Sequence, residues 1–127
     1  MIVAGIGFRR NCPPDVIVEI VRTALSQAGL SPDALGLLAV PAFKSSESGP
    51  AGAARVLNVD TTTVGDAALG AAQANCVTRS EVALRETGFH SVAEGTALAA
   101  AGPGGRLILP RIDNGSATCA LAEGAAQ

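Results

Sequence analysis

Apolar residues in this chain follow two rhythms. Short unbroken runs, MIVAGI at the start, LGLLAV from Leu35 and RLILP from Arg106, are too brief for helices and read as buried strands. Between the first two, Val16, Ile17, Ile20, Val21, Ala24 and Leu25 recur at three- and four-residue spacing. That stripe is the buried face of an amphipathic helix. Pro13, Pro14 and Asp15 open it, because proline suits a first turn and an acid complements the dipole there. Gly29 closes it, and Ser31-Pro32-Asp33 makes the turn. The strand from Leu35 breaks at Pro41. The helix after it carries Ala53, Ala54, Val56 and Leu57, with Ser45 or Ser46 as its cap. Pro50 falls in its first turn, where amides have no intrahelical partner.

Val59 to Val64 is rich in β-branched residues and predicts a third strand; Asp66 then caps a short helix through Gln73. Two Ser/Thr-x-x-Glu sequences follow, Thr78-Arg79-Ser80-Glu81 and Ser91-Val92-Ala93-Glu94. Each is a capping box, in which the hydroxyl accepts from one free amide and the Glu reaches back to another. The first helix stops at Gly88, the second runs to Ala101, and GPGG at 102–105 is a turn. RLILP and SATCALA pair as a hairpin through Asp113-Asn114-Gly115. Residues 123–127 are expected as a flexible tail, leaving 1–122 as a single domain. This order predicts an α/β protein: a three-layer α/β/α domain with a mixed, mostly parallel sheet and a C-terminal antiparallel hairpin.

Composition narrows the function. A chain of 127 residues is long enough to bury a core. It has no Trp, no Tyr and three Phe, so it offers little on which to stack bases. Its net charge of −2 supplies no phosphate track, and nucleic acid is not an expected partner. No apolar window approaches the roughly 18 residues of a membrane span, and no basic segment precedes IVAGIG as in a signal peptide. Three scattered cysteines without a CxxC, and a single His, fit reduced thiols in the cytoplasm and neither a metal site nor a cofactor.

In an open α/β sheet, ligands bind beyond the carboxyl ends of the strands. That rule selects Gly5-Ile6-Gly7-Phe8-Arg9-Arg10 and Pro41 to Glu47, together with the helix mouth at Ser91 and Glu94 if it faces the same edge. Arg111 closes RLILP and is a further candidate. The GxG is not a dinucleotide fingerprint, since Arg10 stands where a third small residue belongs and no acid ends the second strand. Its glycines make a tight turn and let a helix pack closely, or, beside two guanidiniums, seat an anion. Lys44 and Glu47 read equally as a surface pair. Phe43 reads as core and His90 as surface. Cys12 sits between the arginine pair and a helix start, where a thiol pKa can fall. No GxSxG supports a Ser/His/Asp centre. Glu94 is read in two roles at once, completing a cap and presenting a carboxylate.

The same places carry a resemblance. VAGIGFRR, Lys44-Ser45-Ser46-Glu47, SVAEGTALAA from Ser91, and LILPR leading to ATCALA occur in order between Val3 and Ala122. Together they resemble the cobalamin-biosynthesis family formed by CobE and the C-terminal domain of CbiG. The fuller, CbiG-type members carry N-terminal regions without a counterpart here, so the likeness is to the free-standing kind. Phe8 departs from the small or Cys residue usual in the family, Asn11 from Gly, and Arg111 from a frequent Lys. Asn tolerates the left-handed turn that Gly would make, and Arg keeps the charge.

The resemblance implies binding or handling of a precorrin or hydrogenobyrinic acid-type tetrapyrrole, with other enzymes of the pathway as further partners. Such a macrocycle is flat, partly apolar and ringed by carboxylates. Gly5, Gly7, Arg9, Arg10, Lys44, Ser91 and Arg111 are then the substrate-binding candidates, the cations clamping carboxylates. CbiG-type proteins open a lactone ring on a cobalt-precorrin and release acetaldehyde, so the alternative is a hydrolase with Glu47 or Glu94 as general base. A third reading is a non-catalytic module that docks biosynthetic enzymes along the exposed hairpin edge.

Overall fold

Alternate residues of the first strand, β1 (Ile2–Phe8), serve two different layers. Ile2, Ala4, Ile6 and Phe8 join one apolar cluster with the stripe of α1 (Pro14–Gln27) and with Ala53 and Ala54 of α2 (Gly49–Leu57). On the other face of the sheet, Val3 packs with Ala39, Val64 and Leu69. The remaining elements are β2 (Leu35–Pro41), β3 (Asp60–Val64), α3 (Asp66–Ala72), α4 (Glu81–Thr87), α5 (Val92–Ala101), β4 (Arg106–Asp113) and β5 (Ala117–Glu123). The computed structural model describes residues 1–125. Among these, no helix is long and apolar enough to cross a membrane.

The sheet order is β3-β2-β1-β5-β4. β1 pairs in parallel with β2, and β2 with β3, while β5 lies antiparallel between β1 and β4. β1 to β4 therefore run one way and β5 alone runs against them. The expected three-layer α/β/α domain with its C-terminal hairpin is the observed fold. One consequence is functional: the carboxyl ends of β1, β2, β3 and β4 all meet at one edge, beside the start of β5. β4 is irregular. Leu107 faces Ala122 and Ile112 faces Cys119, so β4 spends five steps where β5 spends three. Those two extra residues are bulges.

α5 crosses β1 at Gly5. A Cβ there would overlap the backbone oxygen of Ala93 and the backbone nitrogen of Ala97. Gly5 and Gly7 lie within an extended strand, so they make no tight turn; Gly5 is there for close approach of a helix.

Local signals shift by a residue or two. α2 begins after Ser48, not at Ser45 or Ser46, because a short 3-10 turn, Ala42–Lys44, intervenes. Gly65 rather than Asp66 precedes α3. The cap of α4 is Ser80, whose Oγ accepts from the Ala83 amide, so the box at Thr78 does not form. Ser91 is the N-cap of α5 but makes no side-chain cap bond, so that box is absent too. Within the stretch 123–127, expected as a tail, Glu123 closes β5 and meets Arg106 at 2.8 Å, and the Gly124 amide donates to Met1 O. Residues 126–127 lie outside the described residues.

Candidate functional site

Where the strands end, the chain leaves a hollow of about 400 Å³. Gly7 and Phe8 from β1, Pro41 from β2, and Ala117 and Thr118 from β5 line it at the sheet. Ser80, the cap of α4, and Val82, Ala83, Glu86 and Thr87 of that helix form a wall, and Val92 and Ala93 bring in the first turn of α5. Phe43 and Lys44 enter from the turn after β2, Arg9 from the loop after β1, and Arg111 and Asp113 from the end of β4. The lining thus mixes apolar surface with three cations and two carboxylates.

Each cation is held differently. Lys44 Nζ sits 5.4 Å from the centroid of the Phe8 ring, a cation–π contact that steadies a long side chain. Arg9 is exposed at the rim. Arg111 is about one-third exposed, its Nη2 3.8 Å from Asp113 Oδ2, a loose pair. Phe43, expected in the core, is 42% exposed and stacks on Phe89 with centroids 6.4 Å apart. His90, expected at the surface, is half-buried.

The loops bearing Arg9 and Lys44 are tied together. Asn11 adopts the left-handed conformation, φ +61°, and its amide donates to Glu47 Oε1 at 2.6 Å. Glu47 therefore braces the arginine loop and makes no ion pair with Lys44 among the described residues. It does not line the hollow.

Glu94 is the largest departure from the sequence reading. It is fully buried, not presented at a mouth. Oε1 accepts from the amides of Val77 and Thr78, both at 2.9 Å. Oε2 accepts from Thr78 Oγ1 at 2.6 Å and from the Arg111 amide at 2.9 Å. Burial pushes its pKa up, but the Arg111 amide, the Thr78 hydroxyl and the amides of Thr78 and Val77 outweigh this, and the carboxyl sits below its ordinary value.

Of the substrate-binding candidates, Gly7, Arg9, Lys44 and Arg111 meet at the hollow. Gly5 and Ser91 are buried outside its lining, and Arg10 is exposed and outside it too. Sequence reasoning missed Glu86, Thr87 and Ser80. They lie at three- and four-residue spacing from Ala83, but one small alanine among polar residues makes no apolar stripe to mark that face as inward. Asp113, part of the turn Asp113-Asn114-Gly115 in the sequence, also lines the hollow.

Cys12, Cys76 and Cys119 are all buried. Burial, then the Asp15 and Glu47 carboxylates, raises the Cys12 thiol, so its place before a helix start does not lower it. Burial followed by Glu94 takes Cys76 up to about 11, and burial alone takes Cys119 up to about 12. Among the described residues, no group of three or more His, Cys, Asp or Glu could hold a metal ion.

Comparison with known proteins points one way. A profile described as cobalamin synthesis G C-terminus matches residues 2–122. Protein CobE of Sinorhizobium sp. is 34% identical over 121 residues, covering 95% of this chain and 79% of that protein. The crystal structure of CobE, a protein from the cobalamin (vitamin B12) biosynthetic pathway, superposes with a TM-score of 0.92 at 32% identity, over 100% of this chain and 92% of that one. Cobalamin biosynthesis protein chiG from Agrobacterium tumefaciens str. C58 gives 0.79 at 37% identity, over 99% and 100%.

Proposed function

The chain belongs to the cobalamin-biosynthesis family of CobE and the CbiG C-terminus, and on that footing we propose that its hollow binds a precorrin-type tetrapyrrole by the carboxylate side chains. The observation that carries this reading is the meeting of Arg9, Lys44 and Arg111 on one hollow beside Phe8, Phe43, Val82 and Val92. Charged hydrogen-bond donors and apolar wall are the two surfaces a carboxylate-ringed macrocycle requires. Glu86 and Asp113 reduce the local charge, so carboxylates seat next to the cations and away from these acids. Binding pockets usually span about 300–1,000 Å³. A hollow of about 400 Å³ is small for a whole macrocycle and suits one edge, with the rest of the ring at the open mouth.

A hydrogen bond to a charged group nets about 1.5–3 kcal/mol, and less at an exposed rim. Two or three of them, with apolar contact, reach the range of about 8 kcal/mol that corresponds to micromolar affinity. Hydrolysis of a lactone ring is the weaker reading. A carboxylate has roughly four acceptor positions, and Glu94 already accepts from four donors. Glu47 lies outside the lining. Docking along the hairpin edge is weaker too, since Pro110 interrupts β4 and blunts that edge.

Titration with hydrogenobyrinic acid, followed by the visible spectrum, tests the proposal. Micromolar binding is expected, with Lys44→Ala and Arg111→Ala each weakening it about tenfold and exposed Arg9→Ala by less. Undiminished affinity in all three variants, or no spectral change with the unaltered protein, overturns it.

A further inference from the structure

We infer that Glu94 is a positioning residue for tetrapyrrole binding: its buried carboxylate holds the bulged end of β4 so that Arg111 projects into the hollow. The inference rests on the proposed function and goes past it to a residue that touches no ligand.

Arg111 lies in the second irregularity of β4, between Leu109, which faces Leu121, and Ile112, which faces Cys119. It has no register partner on β5. Pro110 before it has no N–H to donate. A bulge leaves its extra residue unpaired and re-aims the side chain. Something outside the ladder must then hold Arg111, and its amide donates to Glu94 Oε2 at 2.9 Å. The other three bonds to the carboxylate come from Val77 and Thr78, in the connection that leads into α4. Glu94 itself lies in the first turn of α5, between Ala93, which lines the hollow, and Gly95. One carboxylate thus joins three segments that border the same hollow. It is fully buried, so it acts on a ligand only through them.

Replacing Glu94 with Gln separates the bonds. The amide oxygen of Gln can keep both amides of Val77 and Thr78. Its NH2 then faces Thr78 Oγ1, which can turn round and accept, and the Arg111 N–H, which cannot. Glu94→Gln should therefore free the Arg111 amide selectively.

Two measurements on the full chain test this. Amide hydrogen exchange at Arg111 should rise at least about tenfold in Glu94→Gln, with Val77 and Thr78 nearly unchanged. Binding of hydrogenobyrinic acid should fall about tenfold, by the reasoning for Arg111→Ala above. Adding Arg111→Ala to Glu94→Gln should then cost nothing further, whereas adding Lys44→Ala should cost its full factor. A general loosening of the fold would instead leave Arg111→Ala with its own cost, and that result overturns the inference. So does unchanged exchange at Arg111. If Glu94→Gln does not fold, Thr78→Val removes the 2.6 Å bond to Oε2 and takes its place. It should weaken binding only where Arg111 is present, with Thr78→Ser restoring it, and the opposite result counts against the inference. Failure of the unaltered protein to bind hydrogenobyrinic acid overturns the function itself and the role of Glu94 with it. Binding with additive costs overturns the role of Glu94 alone.

Discussion

Gly5 and Gly7 look alike in the sequence and differ in the fold. The atoms nearest to a Cβ on Gly5 are main-chain atoms of α5 and the Cβ of Ala97. Backbone cannot rotate aside, so a methyl there must push helix and sheet apart. A Cβ on Gly7 would meet Thr118 Oγ1 at 2.7 Å, a side-chain atom that can turn away. Gly5→Ala should therefore cost about 3 kcal/mol and Gly7→Ala about 1, within the range of overpacked cores. Urea unfolding of the two variants measures the difference, and equal losses would refute the distinction.

At the scale of elements, α4 stands apart. It has seven residues and none is fully buried. A helix that short has little stability of its own and depends on packing. Its supports are local: Ser80 at its start, Gly88 at φ +87° after its end, and Thr87 Oγ1, which donates to Ala83 O and accepts from the Phe89 amide. α5, in contrast, buries Ala93 through Leu98. Amide exchange should be fastest in α4 and slowest in α5, because opening tracks the apolar contacts that must be broken. Saturating tetrapyrrole should slow α4, one wall of the hollow, more than α1. Equal protection of α4 and α5 would contradict this.

At the scale of the molecule, one carboxylate is buried among the described residues, that of Glu94; it joins sheet, helix and connection, and this sets the response to acid. Glu94 has a folded-state pKa below its ordinary 4.5, so the folded form binds fewer protons than the unfolded form near that pH. Its contribution to stability is complete above about 4.5 and is lost as the pH falls through the lower folded value. Urea midpoints measured between pH 6 and pH 3 should decline in the unaltered protein. Glu94→Gln should show a flatter decline from a lower starting point. Parallel curves would show that other carboxylates govern acid unfolding.

The sequence alone determined the elements and their order. Strands announce themselves by short apolar runs and α1 by its stripe, because burial demands those periods wherever the partner lies. It also indicated the edge at which the hollow lies, since parallel strands bring their carboxyl ends together, and it marked Arg9, Lys44 and Arg111 as cations near that edge. What it could not determine was the state of Glu94. Ser91 and Glu94 have the spacing of a capping box, but donors 16 and 17 residues away in Val77, Thr78 and Arg111 satisfy the carboxylate better than one amide of its own helix. The same holds for α4, whose inward face mixes Ser80, Glu86 and Thr87 with Val82 and Ala83 and so makes no apolar stripe. Hydrogen bonds between distant segments, and polar walls around a hollow, exist only once the chain has folded, so tertiary structure decided them.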